Sequence, residues 1–139
     1  MATDAVGDGR RDDRGAAVAE FVMISTLLIF LLFAVLQVAL LFYVRNIVSA
    51  SAAEGARYAA ASGQSADAGS MRARARIAGS LTRQVSDQIP CTGSAGVDAD
   101  SGLATTVVRC EGSIRSVFLP FGAFVHIRVT SRALTEARG

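Results

Sequence analysis

Side chains able to do chemistry are few in this sequence. It has one histidine, His126, and two cysteines, Cys91 and Cys110. One carboxylate, Glu20, stands five residues after Gly15 and directly before Phe21, where an uncharged run of 24 residues, Phe21 to Val44, begins. His126 has no Ser, Asp or Cys placed to work with it, and no third or fourth ligand at metal-binding spacing. Catalysis, metal binding, a cofactor and a small-molecule substrate are therefore not expected. The cysteines fit a different chemistry. In an exported small domain an even count reads as one disulfide, worth about 3 kcal/mol in the chain-entropy model. The alternative is a pair of free thiols.

Glu20 is the costly residue, because a carboxylate at the edge of a bilayer needs a partner or a purpose. One account is helix capping, in which the carboxylate meets the positive end of the helix dipole for about 0.3–1 kcal/mol. The other begins with a cut after Gly15. Ala16 would then carry a new terminal amine, and Glu20 would be the fifth residue of the mature helix. Among parallel membrane helices offset by about one turn, that carboxylate can neutralise a neighbour's amine. A glycine before the cut and a small residue after it suit a narrow protease site.

The element that must position Glu20 is the apolar run itself. As a helix, 24 residues span about 36 Å, enough for a hydrocarbon core of about 30 Å. A cleavable secretory signal needs an apolar core of about 7–15 residues and a small-x-small site. This run is longer and closes on bulky Phe42, Tyr43 and Val44. It is also apolar all round, interrupted only by Ser25, Thr26 and Gln37, which suits a buried helix of a soluble protein poorly. A single span in a lipid bilayer remains. Arg10, Arg11 and Arg14 before it, against Arg45 and Arg57 after it, favour a cytoplasmic N-terminus. An exported disulfide agrees with that orientation. The leader, residues 1–15, is polar, lacks apolar periodicity and is expected to be disordered. The net charge is +2 and the cations are arginines scattered along the chain. With no aromatic residue between Ala59 and Val117, a nucleic-acid partner is not expected.

Residues RGAAVAEF, the apolar run, and then SASAAEGARYAA resemble the TadE-like family of Tad pilus-assembly pseudopilins. The pattern is carried by Arg14, Gly15, Glu20 with Phe21, and Glu54-Gly55-Ala56-Arg57-Tyr58-Ala59. The resemblance implies cleavage between Gly15 and Ala16 by a prepilin peptidase at the inner membrane. It implies a role in building Flp-type pili and thereby adhesion, with other pilin-like subunits and the assembly platform as partners. The alternative is an uncleaved single-pass envelope protein whose head binds a partner.

The expected architecture is α+β: a leader 1–15, a transmembrane helix and its extension 16–62, and a small head 63–139. Beyond Arg45 the chain stays helical in pattern, with Ala52, Gly55 and Ala59 on one small-residue face and Ser62-Gly63 ending it. Glu54 and Arg57 are spaced to pair, and Glu54, Gly55, Arg57 and Tyr58 form either an interaction segment or a structural stalk. A second helix is predicted from about Asp67 to Ile89, on a stripe of Ala68, Met71, Ala75, Ala78, Leu81, Val85 and Ile89, ended by Pro90. Arg72, Arg74, Arg76 and Arg83 read as its solvated face. Three strands are predicted in ATTVVRC, SIRSVF and FVHIRVTSRAL, separated by Glu111-Gly112 and by Pro120-Phe121-Gly122. His126 falls on the exposed face of the last, opposite Val125, Ile127 and Val129. TEARG is expected to be a frayed tail.

Overall fold

The computed structural model describes residues 9–61, 63–115 and 124–135, with side chains from Gly15 onward. The elements run α1 (Gly9–Ala61), α2 (Ala66–Ser80), α3 (Arg83–Ser86), β1 (Cys91–Val97), β2 (Ala104–Arg115) and β3 (Phe124–Leu134). This is the expected α+β order, a long apolar helix followed by a helical and antiparallel head. Two compact units divide the chain, residues 1–38 and 39–139.

Within the first unit α1 is helical from Gly9, inside the segment expected to be irregular. A helix already nucleated by a long apolar run extends at the cost of one residue at a time, so polar residues 9–14 join it. The most apolar stretch of α1 has mean hydropathy 2.8 and buries none of its residues. It is therefore not a buried core helix within this chain, and it fits a single-pass membrane segment. Thr26 Oγ1 donates to the Val22 carbonyl at 2.8 Å, so this hydroxyl satisfies itself within the helix.

In the second unit, the continuation of α1 supplies one wall of the core. Leu41, Val44, Val48, Ala52 and Ala56 recur at helical spacing and pack with Ala73 and Ile77 of α2 and with Ile89, Cys91, Val108, Cys110 and Ile127. The predicted small-residue face is the buried one: Ala52, Gly55 and Ala59 are all enclosed. The helix ends where expected. Gly63 adopts φ 58°, and the Gln64 amide reaches back to the Ala59 carbonyl at 3.2 Å. Ser62 lies outside the described residues.

The second helix departs from expectation twice. It stops at Ser80, because Leu81 is extended (φ −118°, ψ 164°) and packs against the core, and only the short α3 follows before Pro90. Its buried face is also a different one: Gly69, Ser70, Ala73 and Ile77 are enclosed, whereas Met71 is 60% exposed and Ala75 and Ala78 face solvent. The reason is the closeness of the two helices, which rewards absent side chains over apolar ones. Ser65 caps α2 by accepting from the Ala68 amide at 3.2 Å.

The sheet has three strands in the order β1-β2-β3, both pairs antiparallel. The strand count agrees with the sequence reading, but the strands are drawn from other residues. CTGSAGV, outside the three predicted strands, is β1, and the first two predicted strands are one, β2, running through Glu111-Gly112. Both corrections trace to glycines. A Cβ on Gly93 would collide with the Ala66 carbonyl, and one on Gly112 with the Gln88 carbonyl. These glycines let chain segments lie flush on the sheet and do not mark turns. Ser116–Phe118 of the second predicted strand, the turn at Pro120-Phe121-Gly122 and residues 136–139 of the tail lie outside the described residues. On β3, Ile127 is buried while His126, Arg128 and Thr130 are exposed, as the alternation requires.

The β1–β2 turn holds itself together. Asp98 Oδ2 accepts from the Ser101 hydroxyl at 2.6 Å and the Ser101 amide at 3.1 Å, while Gly102 takes φ 67°. The Asp98 amide bonds the Leu103 carbonyl at 2.9 Å. The Ser101 hydroxyl and amide bonds hold the Asp98 carboxyl below its ordinary range against an opposing desolvation, with lesser help from Arg132.

Candidate functional site

Two groups of residues carry the sequence motifs, one in each compact unit. Gly15, Ala16, Glu20 and Phe21 lie on successive turns of α1 and all are exposed. Ala16 and Glu20 are four residues apart and share a helix face, so the carboxylate sits one turn along from the Gly15–Ala16 peptide. A Cβ placed on Gly15 would meet nothing within 4 Å. No packing therefore dictates glycine here, and its presence needs another reason. The peptide bond itself lies inside the helix, where a glycine costs about 0.8–1.0 kcal/mol relative to alanine.

The second group is a helix-on-helix joint. Gly55 of α1 and Gly69 of α2 face each other so closely that a Cβ on Gly69 would stand 2.7 Å from the Gly55 carbonyl. A Cβ on Gly55 would overlap the Gly69 carbonyl likewise. The flanking positions are small too: Ala59 Cβ and Ala73 Cβ lie 3.1 Å from those same points. Around this joint runs a charged collar. Glu54 Oε1 accepts from Arg72 at 3.2 Å, and Glu54 Oε2 from Arg76 Nε at 2.7 Å. The Arg72 guanidinium also sits 5.7 Å from the centroid of the Tyr58 ring. With side chains half or more exposed on the arginine side, each ion pair is worth about 0.2–1 kcal/mol. The collar orients the joint more than it stabilises it.

Glu54, Gly55 and Tyr58 thus come together with α2. Arg57 does not join them: its Nε donates to the Ala53 carbonyl of its own helix at 3.2 Å, while Glu54 engages α2. Arg72 and Arg76, read as a solvated face, hold Glu54, and Arg74 donates to the Cys91 carbonyl. Gly69 was missed as a partner for Gly55. Its signal was available in the four-residue spacing of Gly69 and Ala73, which mirrors Ala52 and Ala56. Cys91 and Cys110 are directly opposed in the β1–β2 register, fully buried, with sulfurs 2.00 Å apart in a disulfide. No group of His, Cys, Asp and Glu that could hold a metal occurs among the described residues.

An apolar helix long enough to cross a membrane and an α+β head docked on its extension fit a single-pass, membrane-anchored architecture. Residues 15–57 match the family model described as TadE-like protein, the family that the Gly15–Glu20–Phe21 and Glu54–Tyr58 motifs resemble. The matched region ends within the helix joint, so both motif groups fall in it or at its edge. The match covers 43 of the 139 residues. No curated protein and no solved structure matches the chain.

Proposed function

We propose that this chain is a minor pilin-like subunit, cut between Gly15 and Ala16 by a prepilin peptidase and used in assembling Tad/Flp-type pili and thereby in adhesion. The leader faces the cytoplasm, α1 crosses the inner membrane once, and the head lies on the far side. Removal of residues 1–15 leaves Ala16 as a terminal amine with Glu20 as the fifth mature residue. Glu20 then pairs with the amine of a neighbouring pilin-like helix. The observation that carries the reading is the unpacked Gly15, five residues before an exposed Glu20 at the mouth of the apolar helix, inside the TadE-like match.

The test is mass spectrometry of the full chain expressed with and without a prepilin peptidase. The expected mature N-terminus is Ala16, seen only with the peptidase and lost in Gly15→Val. An intact N-terminus in cells that carry the peptidase would instead support an uncleaved anchor whose head binds an envelope partner. Glu20→Ala is expected to insert and be cut normally but to reduce pilus number, and unchanged piliation would remove the pairing role.

A further inference from the structure

Beside the core, where α1 leaves its apolar run, a recess of about 290 Å³ opens between α1 and β3. Leu41, Phe42 and Arg45 line it from the helix, and Val125, His126, Ile127 and Arg128 from the strand. All seven belong to the compact unit 39–139. Arg45 is the first charged residue after the uncharged run, so on a helix that spans a bilayer it stands at headgroup level. The lining joins apolar Leu41, Phe42, Val125 and Ile127 to polar Arg45, His126 and Arg128 at the edge of the sheet. His126 offers an N–H donor in either charge state, and each guanidinium can fork onto an oxyanion.

We propose that this recess binds the phosphate headgroup of an anionic phospholipid, with an acyl chain lying along Leu41 and Phe42. This rests on the membrane-spanning reading of α1. Charge complementarity selects the ligand. Arg45 has no carboxylate within ion-pair distance among the described residues, whereas Arg128 Nε is held by Glu111 Oε2 at 3.1 Å. Arg128 is 78% exposed at its side chain and Glu111 52%, so water already weakens that pair and Arg128 can turn to a stronger anion. Glu111 lies on the adjoining recess, which shares His126, Ile127 and Arg128 with the first. The carboxylate therefore acts as a competitor for Arg128. A zwitterionic headgroup would bring an ammonium group to this cationic wall; an anionic one would not.

The test is native mass spectrometry of the full chain released from nanodiscs of equal phosphatidylglycerol and phosphatidylcholine. Preferential retention of phosphatidylglycerol is expected. Arg45→Gln and Arg128→Gln should each lower it about fivefold, the scale of one basic residue at a membrane surface. Because both contact one phosphate, the double variant should lose less than the product of the two. Glu111→Gln should raise retention, an outcome that a structural role for these residues would not give. Arg83→Gln, outside the recess, should change nothing. Excess inorganic phosphate should not displace the lipid; displacement would mean an anion site that needs no lipid and would overturn the proposal. Equal retention of the two lipids, or losses that simply multiply, would overturn it too while leaving the span intact. Failure of the chain to insert into the nanodisc at all would overturn both readings.

Discussion

Gly55 and Gly69 are the residues on which the contact between α1 and α2 depends, and they are not interchangeable with other glycines of the chain. A methyl group at either would have to displace a backbone carbonyl on the partner helix, which cannot turn aside as a side chain can. Gly55→Ala and Gly69→Ala are each expected to destabilise the head by about 1–3 kcal/mol, the usual cost of overpacking. Gly79 gives the control, since a Cβ there meets nothing within 4 Å. Gly79→Ala should be neutral or stabilise by up to about 1 kcal/mol through helix propensity. Thermal unfolding of the three variants in detergent, followed by circular dichroism, separates the cases. Equal effects at all three would mean that the close approach contributes nothing.

At the scale of elements, the β1–β2 hairpin depends on a carboxylate that caps its own turn. Asp98 titrates below the ordinary range because its charged form is favoured by Ser101 and, more weakly, by Arg132. A carboxyl depressed in the folded state adds stability above its unfolded pKa and loses it as pH falls through the folded one. Asp98→Asn should therefore melt below the parent at neutral pH. The gap should close as both are acidified through and below the carboxylate range, and a gap that is constant with pH would remove the charge from the explanation. The hairpin also shows which elements were legible in the sequence. The apolar run and the inner face of α1 could be read because burial there selects apolar or small residues at a regular spacing. On β3 the alternation of Val125, Ile127 and Val129 was equally plain. The packed face of α2 and the whole of β1 were not, because what decides them is backbone proximity. Gly69, Gly93 and Gly112 are chosen for what they lack, and a missing side chain leaves no hydrophobic period to detect. Met71 and Ala75 supplied a period that the packing ignores.

Across the whole molecule, the functional motifs were more legible than the contacts they make. The Gly15–Glu20 spacing depends on neighbours in sequence, and it appears on α1 as read, one helical turn from Ala16 to Glu20. Glu54 to Tyr58 depends on a partner 18 residues away at Arg72, and nothing in the segment itself names that partner. The head is thereby fastened to the extension of α1 at the glycine joint, and α2 is in turn tied to β1 through Arg74, which bonds the carbonyl of disulfide-linked Cys91.

That disulfide has a mechanical consequence. If the head is gripped at β3 and pulled against α1, tension travelling along the backbone reaches Cys91 and crosses the sulfurs to Cys110. The intervening hairpin carries no load. Stretching the oxidised chain in a single-molecule force experiment should release a contour shorter by the 19-residue separation, about 65 Å at about 3.4 Å per residue. Adding a reductant should restore that length as a separate extension. A subunit under traction would thus keep its first strand pair out of the line of force.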